Sequence, residues 1–184
     1  MKATEILMEE HEVILRVVTA MEKAAAAAPD GRVRPAFFLD AADFIKGFAD
    51  GCHHAKEEKV LFKEMADAGF PVEGGPIGMM LMEHEQGRQY TRQMRAAAEK
   101  WQAGDASAIP EVQESALGYA RLLRAHINKE NTILFVMADR FLPQEKQSAV
   151  ADGFEHVEHA ETGQGVHEKY LALAEKLEQE SSKY

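Results

Sequence analysis

The chain has 184 residues, of which 46% are hydrophobic and 28% are charged, a composition typical of a soluble globular protein and not of a disordered one. A formal net charge of −10 argues against nucleic-acid binding, and no apolar run of about 18 residues is present to cross a bilayer. Cys52 is the only cysteine, which excludes an internal disulfide, and acidic residues interrupt any secretory signal at the N-terminus. We therefore expect a cytoplasmic protein.

Glycine and proline divide the chain into four long segments of helix-forming composition, with breaks at residues 28–31, 69–76, 104–107 and 142–143. Strand-type alternation is absent, so we predict an all-α protein. Four helices with short connections imply an antiparallel up-down-up-down four-helix bundle over residues 1–142. Residues 143–184 are predicted to form a C-terminal helical extension of one or two further helices packed on the bundle.

The first and third segments each place one histidine on an apolar face. At about 100° per residue, Leu7 and Ile14 flank His11, and Met80 flanks His84, so both histidines point inward. A lone inward histidine is more often a hydrogen-bonded core residue than a metal ligand. Neither position alone therefore indicates a site.

The second and fourth segments share a longer motif. Both copies read His-x-x-Lys-Glu-x-x-x-Leu-Phe, starting at His53 and at His126. Imidazole and carboxylate four residues apart lie on one helix face, and apolar residues bracket His53 with Glu57 and His126 with Glu130. A buried carboxylate is costly unless it is paired or binds metal. Two such motifs in a bundle with four inward histidines predict a metal site, although a structural His–Glu pair explains either motif alone.

Further histidines and acids have a less defined placement. His54 lies on the flank of the second segment's inward face, where it can reach the site or solvent, and we expect its neighbour Glu58 to be solvated. In the tail, Glu158, His159 and His167 are loosely spaced, which favours a surface position. The alternative is that they supply a ligand or a lid.

These residues resemble the hemerythrin-like (HHE cation-binding) family over about residues 1–142. The resemblance implies an antiparallel four-helix bundle around two non-heme iron ions (Fe2+/Fe3+) with an oxygen-derived, oxo or hydroxo bridge. It further implies terminal histidine ligands and bridging carboxylates from Glu57 and Glu130. Imidazole and carboxylate also suit iron chemically. The candidate metal ligands are His11, His53, Glu57, His84, His126 and Glu130, with His54, Glu158, His159 and His167 as possible additional ligands.

The chain departs from the oxygen-carrying hemerythrins at two places. Those carriers have a second histidine one turn further along the third helix, where this chain has Arg88, and their last carboxylate is an aspartate at a spacing different from that of Glu130. A fifth histidine must come from elsewhere or be missing, and His54 is the nearest candidate, followed by the tail histidines. A missing ligand weakens reversible oxygen carriage, because an open coordination position favours turnover or a different exogenous ligand.

Three classes of function remain open. The first is a protein that binds or senses dioxygen, nitric oxide or iron. The second is a di-iron redox enzyme that detoxifies peroxide or nitric oxide, or that donates iron for cluster repair. The third is a structural bundle whose histidines and glutamates merely pair. The sequence separates the third class from the others better than it separates the first two. The expected partner is a small molecule such as O2, NO or peroxide, with no nucleic acid and no membrane, and protein partners are not indicated.

Overall fold

The structure is a computed structural model that describes residues 2–163 and 165–184. Within these residues the regular secondary structure is entirely helical, which confirms the predicted all-α class. The described part of the chain forms six successive helices, and two of them come after residue 142. They are α1 (Ala3–Ala27), α2 (residues 35–67), α3 (Pro76–Gln102), α4 (residues 109–141), α5 (residues 144–162) and α6 (Val166–Ser181).

The helix boundaries follow the glycine and proline signals. Pro35 and Pro76 are the first residues of α2 and α3, and Pro110 lies in the first turn of α4. Proline suits these positions because the first helical turn has no backbone acceptor for its N–H. After α1 the chain makes a short 3₁₀ turn, Ala28–Asp30, and Gly31 ends it with φ of 71°, a left-handed conformation that glycine adopts without strain.

Three of the helices contain π-helical turns, which the sequence did not reveal because π and α turns use the same residue types. A π turn has a wider hydrogen-bond ring than an α turn, and such turns occur frequently at functional sites. The π segments are Ile45–His54 and Glu57–Leu61 in α2, Glu130–Leu134 in α4, and Val157–Thr162 in α5.

The first four helices contact one another in a ring. α1 packs against α2 and α4, and α3 packs against α2 and α4. The last two helices cover one side of this ring, because α5 and α6 both contact α1 and α2. No helix in the described part of the chain is long and apolar enough to cross a membrane.

Two apolar clusters fill the interior at different levels of the helices. The larger one includes Ile14, Phe48 and Met94, and the smaller one includes Leu7 and Phe135. On each of the first four helices, buried histidine or glutamate residues lie between the parts that enter the two clusters. The clusters therefore surround a polar layer with apolar side chains, which strengthens electrostatic interactions inside that layer.

Candidate metal centre

Seven buried side chains from α1 to α4 converge in the polar layer. All of them are at most 5% exposed. They form two groups that share Glu57, and within each group the candidate ligand atoms lie within 4.8 Å of one another. The first group comprises His54, Glu57, His84 and His126, and the second comprises His11, His53, Glu57 and Glu130.

The Glu57 carboxylate extends between the two groups. Its Oε1 lies 3.5 Å from Nε2 of His53, and its Oε2 lies 3.4 Å from Nε2 of His84. His53 is on the same helix one turn earlier, whereas His84 comes from α3. One oxygen therefore faces each group, which is the arrangement that a carboxylate bridging two cations requires.

Glu130 extends between the groups in the same way. Its Oε2 lies 3.2 Å from Nε2 of His11, and its Oε1 lies 3.1 Å from Nε2 of His126. Like Glu57, it is the first residue of a π-helical turn. The two motifs thus share both their spacing and their local backbone, and they present their carboxylates to the same space.

Each of the five histidines donates from Nδ1 to an oxygen outside the two groups. Because those oxygens accept, the neutral form of each imidazole carries its proton on Nδ1, and its Nε2 then offers the lone pair that binds metal. The donor–acceptor distances are 2.8 to 2.9 Å. The pairs are His11 with Asn131, His53 with Glu10, His54 with Asp50, His84 with Glu58, and His126 with Glu83.

We call the carboxylates that accept from the histidine Nδ1 atoms the outer carboxylates. Two lysines neutralise those of the motif histidines, His53 and His126. Lys56, whose side chain is fully buried, donates to Glu10 at 2.5 Å and to Glu158 of α5 at 3.0 Å. Lys129 donates to Glu83. Each lysine directly precedes the motif glutamate, so the same helical turn supplies the inner carboxylate and the outer cation.

Arg88 pairs with the remaining two outer carboxylates. Its guanidinium donates to Glu58 at 2.5 Å, and its Nε lies 3.2 Å from Asp50. Glu58 and Asp50 are the Nδ1 partners of His84 and His54. Glu58 is therefore tied into the centre and is not the solvated neighbour that the sequence suggested, because both His84 and Arg88 reach it from α3.

Burial and the neighbouring charges shift the pKa values of three side chains at the centre. Burial raises the pKa of Glu130, but its contacts with three histidines hold it well below its usual value. Burial lowers the pKa of His84, yet contacts with Glu130, Glu57 and Glu58 raise it to about 11. The pKa of His54 is well below its usual value because of burial and of the neighbouring histidines, which keeps this imidazole neutral. In the metal-free protein a protonated histidine thus supplies the positive charge that a bound cation would provide.

The inner atoms of the centre fit a bound cation. Nε2 of His11, Nε2 of His53 and all four carboxylate oxygens of Glu57 and Glu130 are buried without a hydrogen-bond partner in the described structure. Buried polar atoms normally have partners, because leaving one unsatisfied costs about 1–3 kcal/mol. Six such atoms converging from three helices are a donor set for metal.

The structure brings together all six residues predicted as principal ligands and adds His54 to them. The π-helical turn that ends at His54 is the local reason, since His53 and His54 both turn inward. The His54 ring stacks on that of His84 with centroids 3.8 Å apart. His54 is thus the fifth buried histidine of the centre. Arg88 occupies the position on α3 at which the oxygen-carrying hemerythrins have a second histidine.

The tail residues lie outside the two groups. His159 is exposed, and Glu158 bonds to Lys56. His167 lies close to Glu10 and Cys52 in a separate group of possible ligands. The ammonium of Lys56 bonds to Glu10 there, and its charge disfavours a second cation at that place.

Sequence reasoning missed the outer partners, although the sequence holds a signal for them. Glu10 and Glu83 directly precede the lone histidines of α1 and α3, and the distance from one to the other is 73 positions. The two motif histidines, His53 and His126, are also 73 positions apart. The repeat is therefore longer than the two motifs and includes the carboxylates that orient them.

Comparison with known proteins gives a consistent assignment. Residues 2–138 match the family model described as Hemerythrin HHE cation binding domain. Three curated relatives, uncharacterised proteins of Mycobacterium bovis and of two strains of Mycobacterium tuberculosis, are 25% identical over 163 residues, covering 88% of this chain and 63% of each relative. The chain thus spans less than two thirds of the length of these relatives. No solved structure matches it significantly.

Proposed function

The chain belongs to the hemerythrin HHE cation-binding family, and on this premise we propose that it is a non-heme di-iron protein that binds or senses dioxygen, nitric oxide or iron. The observation that carries the proposal is the pair of ligand groups with Glu57 and Glu130 extending between them. Two groups joined by two carboxylates suit a pair of cations better than a single ion.

In this proposal His54, His84 and His126 hold one iron, and His11 and His53 hold the other. Imidazole and carboxylate ligands suit iron, and neither of the two groups at the centre contains a cysteine, which argues against an iron–sulfur cluster there. Iron bound there supplies redox chemistry and a binding position for a small molecule. The protein's own contribution is orientation, since each imidazole is held by its Nδ1 hydrogen bond, and exclusion of water by the two apolar clusters.

The proposal includes the finer architecture. We take α1 to α4 as an antiparallel up-down-up-down four-helix bundle over residues 1–142, and residues 143–184 as an extension packed on it. The ring of contacts among α1 to α4 and the contacts of α5 and α6 with α1 and α2 support this arrangement. We also propose a cytoplasmic location and a small-molecule partner.

Metal analysis and oxygen exposure test the function. Protein purified from iron-supplemented cells is expected to contain about two irons per chain, with a near-ultraviolet charge-transfer band from an oxygen bridge. Less than half an iron per chain would contradict the di-iron proposal. The protein is then reduced without oxygen, and dioxygen is admitted while spectra are recorded.

The outcome of that reaction separates binding from turnover. A stable spectrum that reverses when oxygen is removed is the result expected of a binding or sensing protein. Immediate return to the oxidised form, together with consumption of added peroxide, would instead identify a di-iron redox enzyme.

A further inference from the structure

The end of the bundle at which α3 begins and α4 ends carries an exposed apolar surface. In the described part of the chain, six large apolar side chains are between 42% and 64% exposed, and all six lie at this end. We call this set the apolar face, and its members are Val72, Met79, Met82, Ile133, Val136 and Phe141. Exposed apolar side chains that are gathered in one place mark an interaction site, whereas the same side chains scattered singly would need no explanation.

The side chains of the apolar face form one continuous surface across the two helices. Val72, Met79 and Met82 line a single open groove beside the start of α3. On α4 the ammonium nitrogen of Lys129 lies 3.9 Å from the sulfur of Met79. Ile133 follows Lys129 by one turn on the same side of α4. The groove on α3 and the last turns of α4 are therefore neighbours.

Both helices are apolar on two sides at this end of the bundle. Residues 76–82 of α3 and residues 132–138 of α4 contain no charged residue, in a chain of which 28% is charged. Their inward sides are filled by members of the smaller apolar cluster, such as Met80 and Phe135, while the apolar face lies on their exposed sides. A helix at the surface of a monomer normally has a polar outer side, and a helix that is apolar all round is normally buried. These turns are therefore expected to be covered.

We propose that the apolar face is the interface of a homodimer, in which the same face of a second copy of this chain covers it. The helices after residue 142 contact α1 and α2, which form the other side of the bundle. The exposed parts of the six side chains amount to about 600 Å², the upper end of what a monomer normally exposes in one patch. One subunit of a standard dimer contributes about 800 Å², of which about 65% is apolar. The apolar face thus has the area that a stable dimer needs.

The charge distribution favours a second copy as the partner. Because the formal net charge of the chain is −10, two copies repel each other when they meet through most of their surface. The side chains of the apolar face are uncharged, and the neighbouring Lys129 is paired with Glu83. The edge of the face carries one exposed residue of each sign, Glu73 and Arg140. A two-fold axis that sets the face against itself therefore brings together the parts of the two copies that repel least.

Sedimentation velocity of the full chain over a range of concentrations tests the proposal. The unaltered protein is expected to sediment as a species of twice the chain mass of 20.5 kDa, with and without metal. Met82→Glu combined with Ile133→Glu places two carboxylates within the face and is expected to raise the dimer dissociation constant at least about a hundredfold. Far-ultraviolet circular dichroism verifies that this double variant is folded. If it is not, Met82→Ser combined with Ile133→Ser takes its place.

Gln93→Glu is the matched control, because it adds a carboxylate to the exposed side of α3 three turns beyond Met82 and outside the apolar face. This variant should dimerise as the unaltered protein does. An unaltered protein that is monomeric at every concentration overturns the inference, and so does a dimer that persists in the folded double variant or is lost in Gln93→Glu. The proposed function is not affected by any of these results, since it is judged by iron content and the dimer is measured in the metal-free chain as well.

Discussion

The part of the centre from α1 and α2, which we call the first half, and the part from α3 and α4, the second half, repeat one another. In the first half Glu10 of α1 orients His53 of α2, and in the second half Glu83 of α3 orients His126 of α4. The residue after each motif glutamate then crosses to the other half, since Glu58 reaches His84 and Asn131 reaches His11. The shared positions place one glutamate from each half, Glu57 and Glu130, between the two ligand groups.

The two halves differ at the positions that set the properties of each ligand group. His54 of the first half corresponds to Ile127 in the second, and Glu58 corresponds to Asn131. The group containing His54 therefore has three histidines, all backed by carboxylates, whereas His11 is backed by a neutral amide. In the proposed di-iron centre, these unequal outer partners would make the histidines of the two metal positions unequal electron donors.

The largest effect is expected from replacing the motif glutamate that occupies the same position in each half. Glu57→Ala and Glu130→Ala should each lose nearly all of the iron, because each carboxylate has one oxygen in either ligand group. Iron analysis together with far-ultraviolet circular dichroism would show an iron-free but helical protein. Glu85→Ala, an exposed change beside His84, is the control. Full iron content in both bridge variants would mean that the carboxylates do not bind metal.

Making the first half resemble the second is expected to remove one metal. His54→Ile introduces the residue found at the corresponding position 127, and it deletes a ligand of the first group only. Iron content should fall from about two to about one per chain. His159→Ala, a change at an exposed tail histidine, should leave iron content unaltered. Two irons in the His54 variant would assign His54 to a structural role.

Removing the corresponding lysines should destabilise the two halves to different degrees. Lys56 is fully buried, whereas the Lys129 side chain is 29% exposed and can be replaced by water. Lys56→Met removes the buried cation beside Glu10 and leaves that carboxylate with the His53 hydrogen bond alone, so it should lower the free energy of unfolding by about 3 kcal/mol. Lys129→Met should lower it by less than about 1 kcal/mol. Urea unfolding of both variants without metal measures the difference, and equal losses would refute it.

The smallest effect is expected from giving all five histidines the same kind of Nδ1 acceptor, a carboxylate. Asn131→Asp gives His11 the carboxylate support that the other four histidines have, with little change of shape. A carboxylate makes the imidazole a stronger donor and favours ferric iron, so the reduction potential of the centre should fall while iron content stays unchanged. Spectroelectrochemical titration measures the potential. Glu58→Gln is the reverse change and should raise it, and a fall in both variants would contradict this account.

Much of the fold followed from the sequence because its signals are local. Pro35 and Pro76 mark helix starts, and the spacing of His53 with Glu57 places both on one face whatever surrounds them. His54 could not be assigned, because its position on the flank becomes inward only through the π-helical turn that ends there. The outer partners were equally hidden, since an acidic residue such as Glu83 beside an inward histidine can face solvent or a neighbouring helix with the same sequence pattern.

The bond between Lys56 and Glu158 has a consequence for how the chain can be divided. Lys56 lies within the region that matches the family, residues 2–138, but half of its counter-charge comes from α5, after that region ends. A protein truncated at residue 138 would expose this lysine to water and leave Glu10 as its one carboxylate partner among those described. We therefore expect the unit that unfolds cooperatively to extend beyond the family boundary, so that a shortened domain has a lower free energy of unfolding than the full chain.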